Sequence, residues 1–524
     1  MGSSDRTYQK PGRYGVVDMG SNAIRTQIVE IDPPGTEPRT VHQERVSVRL
    51  GQDVFLAGAI PESAIEAAVA AMIRFKQLCD EHQVRHIRAI ATSATREANN
   101  RDVFLERIEA ATGIKVEVIS GSEEAWLLSV AVRRKLDMSK GKSMLVDLGG
   151  GSVEVTLVED GQVVSAESYP LGALRLMQAL SAAGETEQRG PFLDLLDQYV
   201  NSLEGRLRDR FGKGAIQRYV ATGGNIETLA DLIQKEGKAV KIAGLDALPL
   251  ATLSDWTKKL AVLSHADRMR SFDLRSDRAD TILPAAVVYY RLGKAAKVDT
   301  VIVPRTGLRD GLLSEVAAGH LWAFRAIDHR ETVLSACAAL GRKYQLDEQH
   351  AARTRELSLQ LFDQTRELHG LDAEDRILLE CAALLHDVGA YVSNQRHHKH
   401  SYYLIRESDL VGLSEEEREI VALVARYHRR AHPDRTHEEI AKLPRKDRVR
   451  VARLAALLRV GDALDREHLA KVKALKAKVG KRAVELTLEL APEGPRSIAL
   501  ESWSVEQKGR MFLEVFGLEI HVAR

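Results

Sequence analysis

Aromatic side chains and cysteines are scarce in this sequence of 524 residues. Phe, Trp and Tyr make up 5 % of it, so we expect cores built mainly from Ala, Leu, Val and Ile. The three cysteines, Cys79, Cys337 and Cys381, are odd in number and far apart, and the sequence contains no CxxC motif. This pattern argues against a disulfide framework and is typical of reduced thiols in the cytoplasm.

Long apolar runs are also absent. No stretch approaches the ~18–20 apolar residues that a membrane span needs. The first fifteen residues are polar and lack the apolar segment of a signal peptide. We therefore expect a cytoplasmic chain with no membrane partner. Its length exceeds the ~250–300 residues at which one hydrophobic core stops growing, which predicts several domains.

An overall excess of charge of one sign is missing, since 75 Lys and Arg balance 74 Asp and Glu. Locally, however, residues 442–482 contain fourteen Lys or Arg and four Asp or Glu. Any one of these cations is most often part of a solvated face, but a sustained excess favours a polyanionic partner. Few aromatic residues lie among them, which argues against a specific nucleic-acid partner bound by base stacking.

Strands and helices alternate in the first part of the sequence, and one strand–turn–strand plan occurs twice. The runs GVVDMGSNAIRTQIVEI (15–31) and MLVDLGGGSVEVTLVED (144–160) each contain an apolar strand, an Asp, a Gly-rich turn and a second strand. This repeat predicts two similar α/β halves around a cleft. Residues 325–481 are predicted to be almost wholly helical. The alternating segments 483–490 and 510–522 predict a small β-rich end.

Three glycine-rich turns follow predicted strands and are suited to binding phosphate. They are DMGSN (18–22), DLGGGS (147–152) and ATGGN (221–225). Glycine lets backbone N–H groups approach a phosphate closely, and Ser and Asn side chains add neutral donors. Asp18 and Asp147, at the ends of the first two strands, are placed to hold a metal or to orient a water. One glycine turn is usually only a turn, but three in this order are more specific.

Six motifs occur along the chain in the order DMGSNAIR, ATSATREA (91–98), SGSEEA (120–125), DLGGGSVE, ATGGN and GLRDG (307–311). Together they resemble the successive motifs of the exopolyphosphatase / guanosine pentaphosphate phosphohydrolase family. The resemblance implies an α/β fold with two ribonuclease-H-like domains of the actin, Hsp70 and sugar-kinase superfamily. In the long members these are followed by an all-α HD-like domain, and here we expect a small β-rich C-terminal cap after it. The predicted domains are 1–133, 134–318, 319–480 and 481–524.

By motif position, the resemblance implies that Glu124 activates the attacking water and that Asp18 is a second catalytic residue near the metal and water. Asp147 and Glu154 match the carboxylates that bind Mg²⁺, or Mn²⁺ in its place. Hard carboxylate oxygens suit such a cation, and a positioned carboxylate can deprotonate a water. The positions that match phosphate contacts are Ser21, Asn22, Arg25, Arg96, Gly149, Gly150, Gly151, Ser152, Gly223, Gly224 and Asn225.

A second set of residues with metal-ligand side chains, namely His350, His386, Asp387 and Asp462, lies in the segment predicted to be helical. Their order resembles that of the HD phosphohydrolase superfamily, in which such residues bind a divalent metal. The resemblance therefore implies a second metal site in this protein. Its residues are His350, His386, Asp387 and Asp462.

Further histidines lie between these positions. The resemblance places His400 and His428 where some HD enzymes bind another metal, whereas His397, His398 and His432 are expected to be ordinary surface residues. In long exopolyphosphatases this module is taken to bind the polyphosphate chain and to support dimerisation. We therefore expect a homodimer.

The main functional hypothesis is a Mg²⁺-dependent hydrolase that releases terminal phosphate from inorganic polyphosphate, and from pppGpp as a further substrate. Three alternatives stay open. One is a sugar-kinase-like phosphotransferase that uses ATP, although no motif for a sugar-binding carboxylate or an adenosine pocket is found. The second is an HD-type nucleotide phosphohydrolase with the first half as a sensor. The third is a polyanion-binding scaffold without activity.

Overall fold

The chain divides into two compact units, Met1–Ala326 and Ile327–Arg524. Each unit has its own sheets and helices. The predicted four-domain boundaries are finer than this division and stay predictions. The computed structural model describes residues 12–31, 38–84, 86–182, 196, 198, 201, 215–317, 327–492 and 497–523.

The first sheet of the first unit is mixed. Its strands are β1 (Gly12–Met19), β2 (Ile24–Ile31), β3 (Arg39–Val46), β4 (His86–Ala91) and β5 (Val116–Val118). They lie in the order β3-β2-β1-β4-β5. β1 pairs antiparallel with β2 and parallel with β4. The accompanying helices are α1 (Gly51–Ala57), α2 (Glu62–Glu81), α3 (Ser93–Glu97), α4 (Arg101–Thr112) and α5 (Gly121–Arg133).

Helix α2 shows how the sequence specifies this layer. Ala64, Ala68, Met72, Phe75 and Cys79 recur every three or four positions, and all of them are buried. This spacing gives the helix one apolar stripe. The stripe belongs to the core that also holds the apolar residues of β1 and β2. Burial of the stripe therefore holds α2 against the sheet.

The second sheet of the first unit is also mixed. Its strands are β6 (Lys142–Leu148), β7 (Val153–Glu159), β8 (Gln162–Tyr169), β9 (Arg218–Thr222), β10 (Val240–Ile242), β11 (Leu245–Pro249) and β12 (Thr300–Val303). They lie in the order β10-β11-β12-β9-β6-β7-β8. The accompanying helices are α6 (Ala173–Ala182), α7 (Gly224–Lys235), α8 (Leu250–Ala261), α9 (His265–Phe272), α10 (Ser276–Ala296) and α11 (Leu308–Ala317).

The predicted repeat is present in the two sheets. In the first sheet β1 and β2 form an antiparallel hairpin, and β4 pairs parallel with β1. In the second sheet β6 and β7 form the corresponding hairpin, and β9 pairs parallel with β6. Asp18 and Asp147 lie near the C-terminal ends of β1 and β6, directly before the glycine turns. The predicted class of two α/β halves, followed by a helical part and a small C-terminal sheet, is therefore confirmed.

The second unit is helical up to residue 463 and then becomes mixed. Its helices are α12 (Ile327–Lys343), α13 (Glu348–Gln364), α14 (Arg366–His369), α15 (Ala373–Leu385), a 3₁₀ turn (Val388–Tyr391), α16 (His397–Arg406), α17 (Glu415–Arg426), α18 (Glu438–Ala441), α19 (Arg445–Ala463), α20 (Ala499–Lys508) and α21 (Arg510–Phe516). The strands β13 (Val472–Val479), β14 (Ala483–Leu490) and β15 (Glu519–Val522) form a sheet in that order.

Two predictions about the end of the chain are wrong. Residues 472–479, predicted to be helical, form β13, because Val472 and Leu475 face the core while the lysines face solvent. Residues 510–516, predicted to be a strand, form α21. Its Met511 and Phe512 are both buried, and Gly517 ends the helix with a φ of 72°.

A search of the described residues for a membrane-spanning helix finds none of sufficient length and apolarity.

Candidate functional site

A polar pocket in the first unit brings together the three predicted glycine turns. It lies where the ends of β1, β6 and β9 meet the first turns of α5 and α7. Among the predicted site residues, those lining the pocket are Asp18, Ser21, Asn22, Arg25, Glu124, Asp147, Gly149, Gly150, Gly151, Ser152, Glu154, Gly223 and Gly224.

Glycine is required at two points of this lining. Gly223 has a φ of 100°, and a Cβ there would lie 2.9 Å from the carbonyl oxygen of Leu148. A Cβ on Gly151 would lie 2.4 Å from the Oγ of Ser93, on the opposite side of the pocket. Side chains at these positions would therefore clash with neighbouring groups of the pocket wall and displace them.

Two carboxylates face each other across the β6–β7 hairpin, that of Glu154 buried and that of Asp147 half-buried. The register pairs Asp147 directly with Glu154, so both lie on one face of the sheet. Asp147 accepts a hydrogen bond from Thr222 (2.7 Å), and Glu154 accepts one from Ser168 (2.9 Å). Burial raises the pKa of both carboxyls, and for Glu154 the neighbouring carboxylate Glu124 raises it further.

This carboxylate pair fits a hard divalent cation. Within the described parts of the chain, neither Asp147 nor Glu154 forms an ion pair with Lys, Arg or His. Two neighbouring carboxylates without a direct ion pair repel each other, and a cation such as Mg²⁺ relieves both the repulsion and the desolvation. Asp18 differs, because its carboxylate is already paired with the guanidinium of Arg25 at 3.0 Å.

Glu124 is fixed in the first turn of α5. Ser120 and Glu123 form a capping box that begins this helix. Arg96 donates a hydrogen bond to the Oε1 of Glu124 at 2.8 Å. Burial raises the pKa of Glu124 to about 7, although the charge of Arg96 opposes the rise. A carboxyl group with this pKa suits a general base at neutral pH.

Two residues predicted to contact phosphate, Arg96 and Asn225, are not among those that line the pocket. Arg96 does not line it and donates to Glu124 and to the backbone oxygen of Ile119. The side chain of Asn225 is buried and accepts a hydrogen bond from Arg278 at 2.5 Å. Both residues therefore support other groups of the site.

Several lining residues were not assigned from the sequence. Arg305 and Arg309 add positive charge, and Glu227 adds a carboxylate beside them; Arg305 is held by ion pairs to Asp231 and Asp246, each at 2.6 Å. The motifs ATSATREA and GLRDG contain four members of this set, so the sequence carried a signal for part of it. The additional lining residues are Thr92, Ser93, Glu227, Arg305, Thr306, Arg309 and Asp310.

The second unit contains a separate cluster of histidines and aspartates, which includes all four predicted HD-type residues. His350, His386 and Asp462 form one group, and Asp387 forms another with His397 and His428. In each group the side-chain donor atoms lie within 4.8 Å of one another.

The prediction for the intermediate histidines is partly wrong. His397 and His398 are buried, and His397, rather than His400, accompanies His428. The reason is the point at which the helix begins. Helix α16 begins at His397, and its first turn packs against the 3₁₀ turn that follows Asp387. Asp465 was not foreseen either; its carboxylate lies 2.9 Å from the Nδ1 of His350.

The electrostatics of the cluster are those of a cation site. Burial alone lowers the pKa of His350, but its contacts with Asp462 and Asp465 outweigh this and raise the pKa to about 9. Burial lowers the pKa of His386 and His428. His386 and His428 therefore offer neutral imidazoles beside ionised carboxylates, which are the usual ligands of a divalent metal, whereas His350 must lose a proton to bind one.

A polar pocket that combines three glycine turns, a carboxylate pair and Glu124 is typical of an enzyme acting on phosphate groups. The chain belongs to the Ppx/GppA phosphatase family: residues 27–320 match that family, and residues 333–509 match Ppx/GppA phosphatase, domain III. The predicted family resemblance and the predicted enzyme class, a hydrolase acting on phosphoanhydrides, are confirmed. The phosphotransferase and scaffold alternatives do not agree with this membership.

Relatives cover both parts of the chain. A protein of Aliivibrio fischeri (strain MJ11) named guanosine-5'-triphosphate,3'-diphosphate pyrophosphatase is 22 % identical over 86 % of this chain and 87 % of its own length. Exopolyphosphatase 1 of Mycobacterium leprae is 29 % identical over 57 % of this chain and 88 % of its own length. A solved exopolyphosphatase from Cytophaga hutchinsonii aligns with a TM-score of 0.54 and 26 % identity, over 59 % of this chain and 98 % of that chain.

Proposed function

We propose that the protein is a Mg²⁺-dependent exopolyphosphatase that removes the terminal phosphate of inorganic polyphosphate. The observation that carries this proposal is the convergence of three glycine turns, the Asp147–Glu154 pair and Glu124 in one pocket. The name of the Mycobacterium leprae relative supports polyphosphate as the substrate.

The chain's own residues account for most of the reaction. The glycine turns orient the terminal phosphate through backbone N–H groups, and Arg25 adds positive charge beside it. A water oxygen bonds to the terminal phosphorus, the bridging P–O bond breaks, and the proton of the water passes to Glu124. Since Arg96 binds Oε1 of Glu124, we assign Oε2 as the proton acceptor.

Asp147 and Glu154 would hold Mg²⁺ in this pocket. The cation would neutralise charge on the phosphate oxygens when bound. Asp18, paired with Arg25, acts in this scheme by fixing the guanidinium near the phosphate and by orienting water. Mn²⁺ has the same preference for oxygen ligands and is expected to replace Mg²⁺.

pppGpp is the second candidate substrate. The observation that favours it is the Aliivibrio fischeri relative, whose name refers to a guanosine pentaphosphate and whose similarity extends over both units. Removal of the terminal phosphate of pppGpp is the same reaction as removal of the end group of polyphosphate. The same pocket residues would therefore serve both substrates.

For the second unit we propose a divalent cation held by His350, His386, Asp387 and Asp462. A homodimer in the cytoplasm is part of the same proposal. Light scattering of the purified chain tests the dimer, and a monomer at all concentrations would contradict it.

The experiment that tests the function is phosphate release from long polyphosphate, tripolyphosphate and pppGpp, measured in parallel with and without Mg²⁺. We expect Mg²⁺-dependent release from polyphosphate, and release from pppGpp if the second candidate substrate is also used. Release from pppGpp alone would transfer the assignment to the second candidate. Release from none of the three would overturn both.

A further inference from the structure

The glycine turn of residues 149–152 is held in place by the residues that begin α6. We propose that Arg175, in the first turn of this helix, is a positioning residue that orients the glycine turn for phosphate binding and fixes it to the opposite wall of the pocket. This inference rests on the proposed function of the pocket and deepens it. Arg175 itself does not line the pocket.

The beginning of α6 binds the carbonyl oxygens of the glycine turn. The N–H groups of residues 172–175 donate to the carbonyl oxygens of residues 149–151 over distances of 2.9–3.3 Å. In a planar trans peptide, the carbonyl of one residue and the N–H of the next point in opposite directions. Because these carbonyls point at α6, the N–H groups of residues 150–152 point away from it.

These three N–H groups are left for a ligand. Gly150, Gly151 and Ser152 all line the pocket, and within the described parts of the chain their N–H groups donate no hydrogen bond. Successive backbone donors that face one space form a concave site for an anion. The orientation of the donors therefore depends on how firmly the carbonyl side of the same peptides is held.

One of the three carbonyls depends on the side chain of Arg175. The N–H of Gly172 lies 3.3 Å from the carbonyl oxygen of Gly151, which is the longest of the four backbone bonds to the turn. The Nε of Arg175 donates to the same oxygen at 2.8 Å. Without this side chain the Gly151–Ser152 peptide would keep only the longer bond, and the N–H of Ser152 would be less firmly directed away from α6.

The same guanidinium reaches the first half of the unit. Its Nη2 donates to both carboxylate oxygens of Glu97, at 2.6 Å and 2.7 Å. Its central carbon lies 3.9 Å from the centre of the Phe55 ring. The planar fork of arginine can bind a carbonyl oxygen and a carboxylate while it stacks on a ring. Lysine would keep the charge but lose this combination of contacts.

Glu97 and Phe55 connect Arg175 to the wall that carries Ser93. Ser93 lines the pocket and donates to the Oε1 of Glu97 at 3.1 Å. Phe55 packs directly on the glycine turn, since a Cβ on Gly151 would lie 2.3 Å from the Cζ of its ring. The hydroxyl of Ser93 is thus joined to the carbonyl of Gly151 through one ion pair. This network fixes the two facing walls of the pocket relative to each other.

Substitution of Arg175 should weaken phosphate binding more than it slows turnover. The turn binds the phosphate both before and during the reaction, and loss of such uniform binding raises KM with little change in kcat. A hydrogen bond that involves a charged group corresponds to a factor of about ten or more in binding. We therefore expect Arg175→Met to raise the KM for tripolyphosphate about tenfold.

The test compares Arg175→Met and Arg175→Lys with the parent chain. The measurements are KM and kcat with tripolyphosphate, and the Kd of orthophosphate by calorimetry in the presence of Mg²⁺. Arg175→Met should raise KM and Kd about tenfold and change kcat less than about threefold. Arg175→Lys should give intermediate values, because it keeps the charge without the fork. Arg107→Met is the matched control, since Arg107 pairs with Glu62 at 2.6 Å in the same unit, and it should match the parent.

Two results would overturn the proposal. One is a KM and a Kd within about twofold of the parent in Arg175→Met, and the other is an equal rise in Arg107→Met. If Arg175→Met does not fold, Glu97→Gln replaces it. That variant keeps Arg175 but removes the charge that holds the guanidinium, so the Kd should rise about threefold, and an unchanged Kd would overturn the proposal.

The Kd of orthophosphate separates this inference from the proposed function, because it requires no turnover. If the parent chain released no phosphate from any substrate, that result would count against the proposed function. The change in Kd between the parent and Arg175→Met would still decide the role of Arg175.

Discussion

The two candidate sites of this protein differ in the atoms that they offer. The pocket of the first unit combines carboxylates with glycine turns, and its Asp147–Glu154 pair lies on a hairpin of a sheet. The cluster of the second unit is rich in imidazoles and is carried by helices. The comparison teaches that the oxygen donors of the pocket favour a hard cation, whereas the imidazoles of the cluster favour softer ones.

Substitution of Glu124 should have the largest effect. Glu124→Gln keeps the size of the side chain but removes the proton acceptor, so we expect phosphate release from polyphosphate to fall by ~10²–10⁴ with little change in binding. Stopped-flow or quench assays together with equilibrium binding measure this. Glu109→Gln, on the exposed face of α4, is the control. Near wild-type turnover in Glu124→Gln would remove Glu124 from the mechanism.

Substitution of Asp147 or Glu154 tests whether the pocket and the histidine cluster bind different metals. Asp147→Asn or Glu154→Gln should raise the Mg²⁺ concentration needed for half-maximal activity at least about tenfold, because each removes a charged oxygen ligand. His397→Ala/His428→Ala should leave that Mg²⁺ titration unchanged. Equal shifts in both sets of variants would show that the two sites are not separate.

The pH dependence should follow Glu124. Its pKa is raised to about 7 by burial, against the opposing charge of Arg96, and the base acts in its ionised form. At low Mg²⁺ the rate should therefore fall about tenfold per pH unit below about pH 7. A cation near the carboxylate stabilises the ionised form, so saturating Mg²⁺ should move this limb to lower pH. A limb that moved to higher pH would contradict the assignment.

Substitutions in the basic strand β13 should have the smallest effect on activity, and only with long polyphosphate as the substrate. Lys473, Lys476 and Lys478 are exposed there. A long polyanion gains affinity from counter-ion release when it binds many cations. Substitution of the three lysines by Glu should therefore raise the KM for long polyphosphate several-fold and reduce the salt dependence of that KM. The KM for tripolyphosphate should not change. The measurement is KM at two salt concentrations. Identical salt slopes in parent and variant would exclude this strand from substrate binding.

Local sequence patterns predicted the hairpins and turns of the first unit. A glycine turn between two apolar strands determines the hairpin register, and this register places Asp147 opposite Glu154. Contacts between distant segments were not predictable in this way. The Arg96–Glu124 ion pair and the Asn225–Arg278 hydrogen bond join residues 28 and 53 positions apart, and no periodicity reports such contacts.

In the second unit the residue types predicted which side chains belong to the cluster, but the sequence did not predict on which face of its helix each histidine lies. The four HD-type residues are all in the cluster, but selection of His397 over His400 depends on where α16 begins. The lysines of β13 lie in a segment predicted to be helical, and their exposure beside the buried Val472 and Leu475 follows from strand pairing with β14. Asp465 and Lys508 reach the cluster only through the tertiary fold.

The separation of the two sites is tested most directly by a crossed measurement on Glu124→Gln and Asp387→Asn. Each variant is assayed for Mg²⁺-dependent phosphate release from polyphosphate and for Co²⁺ bound per chain. We predict that Glu124→Gln loses release and keeps its bound Co²⁺, whereas Asp387→Asn keeps release and binds Co²⁺ weakly. Loss of phosphate release in Asp387→Asn to the same degree as in Glu124→Gln would contradict the assignment of the chemistry to the first unit.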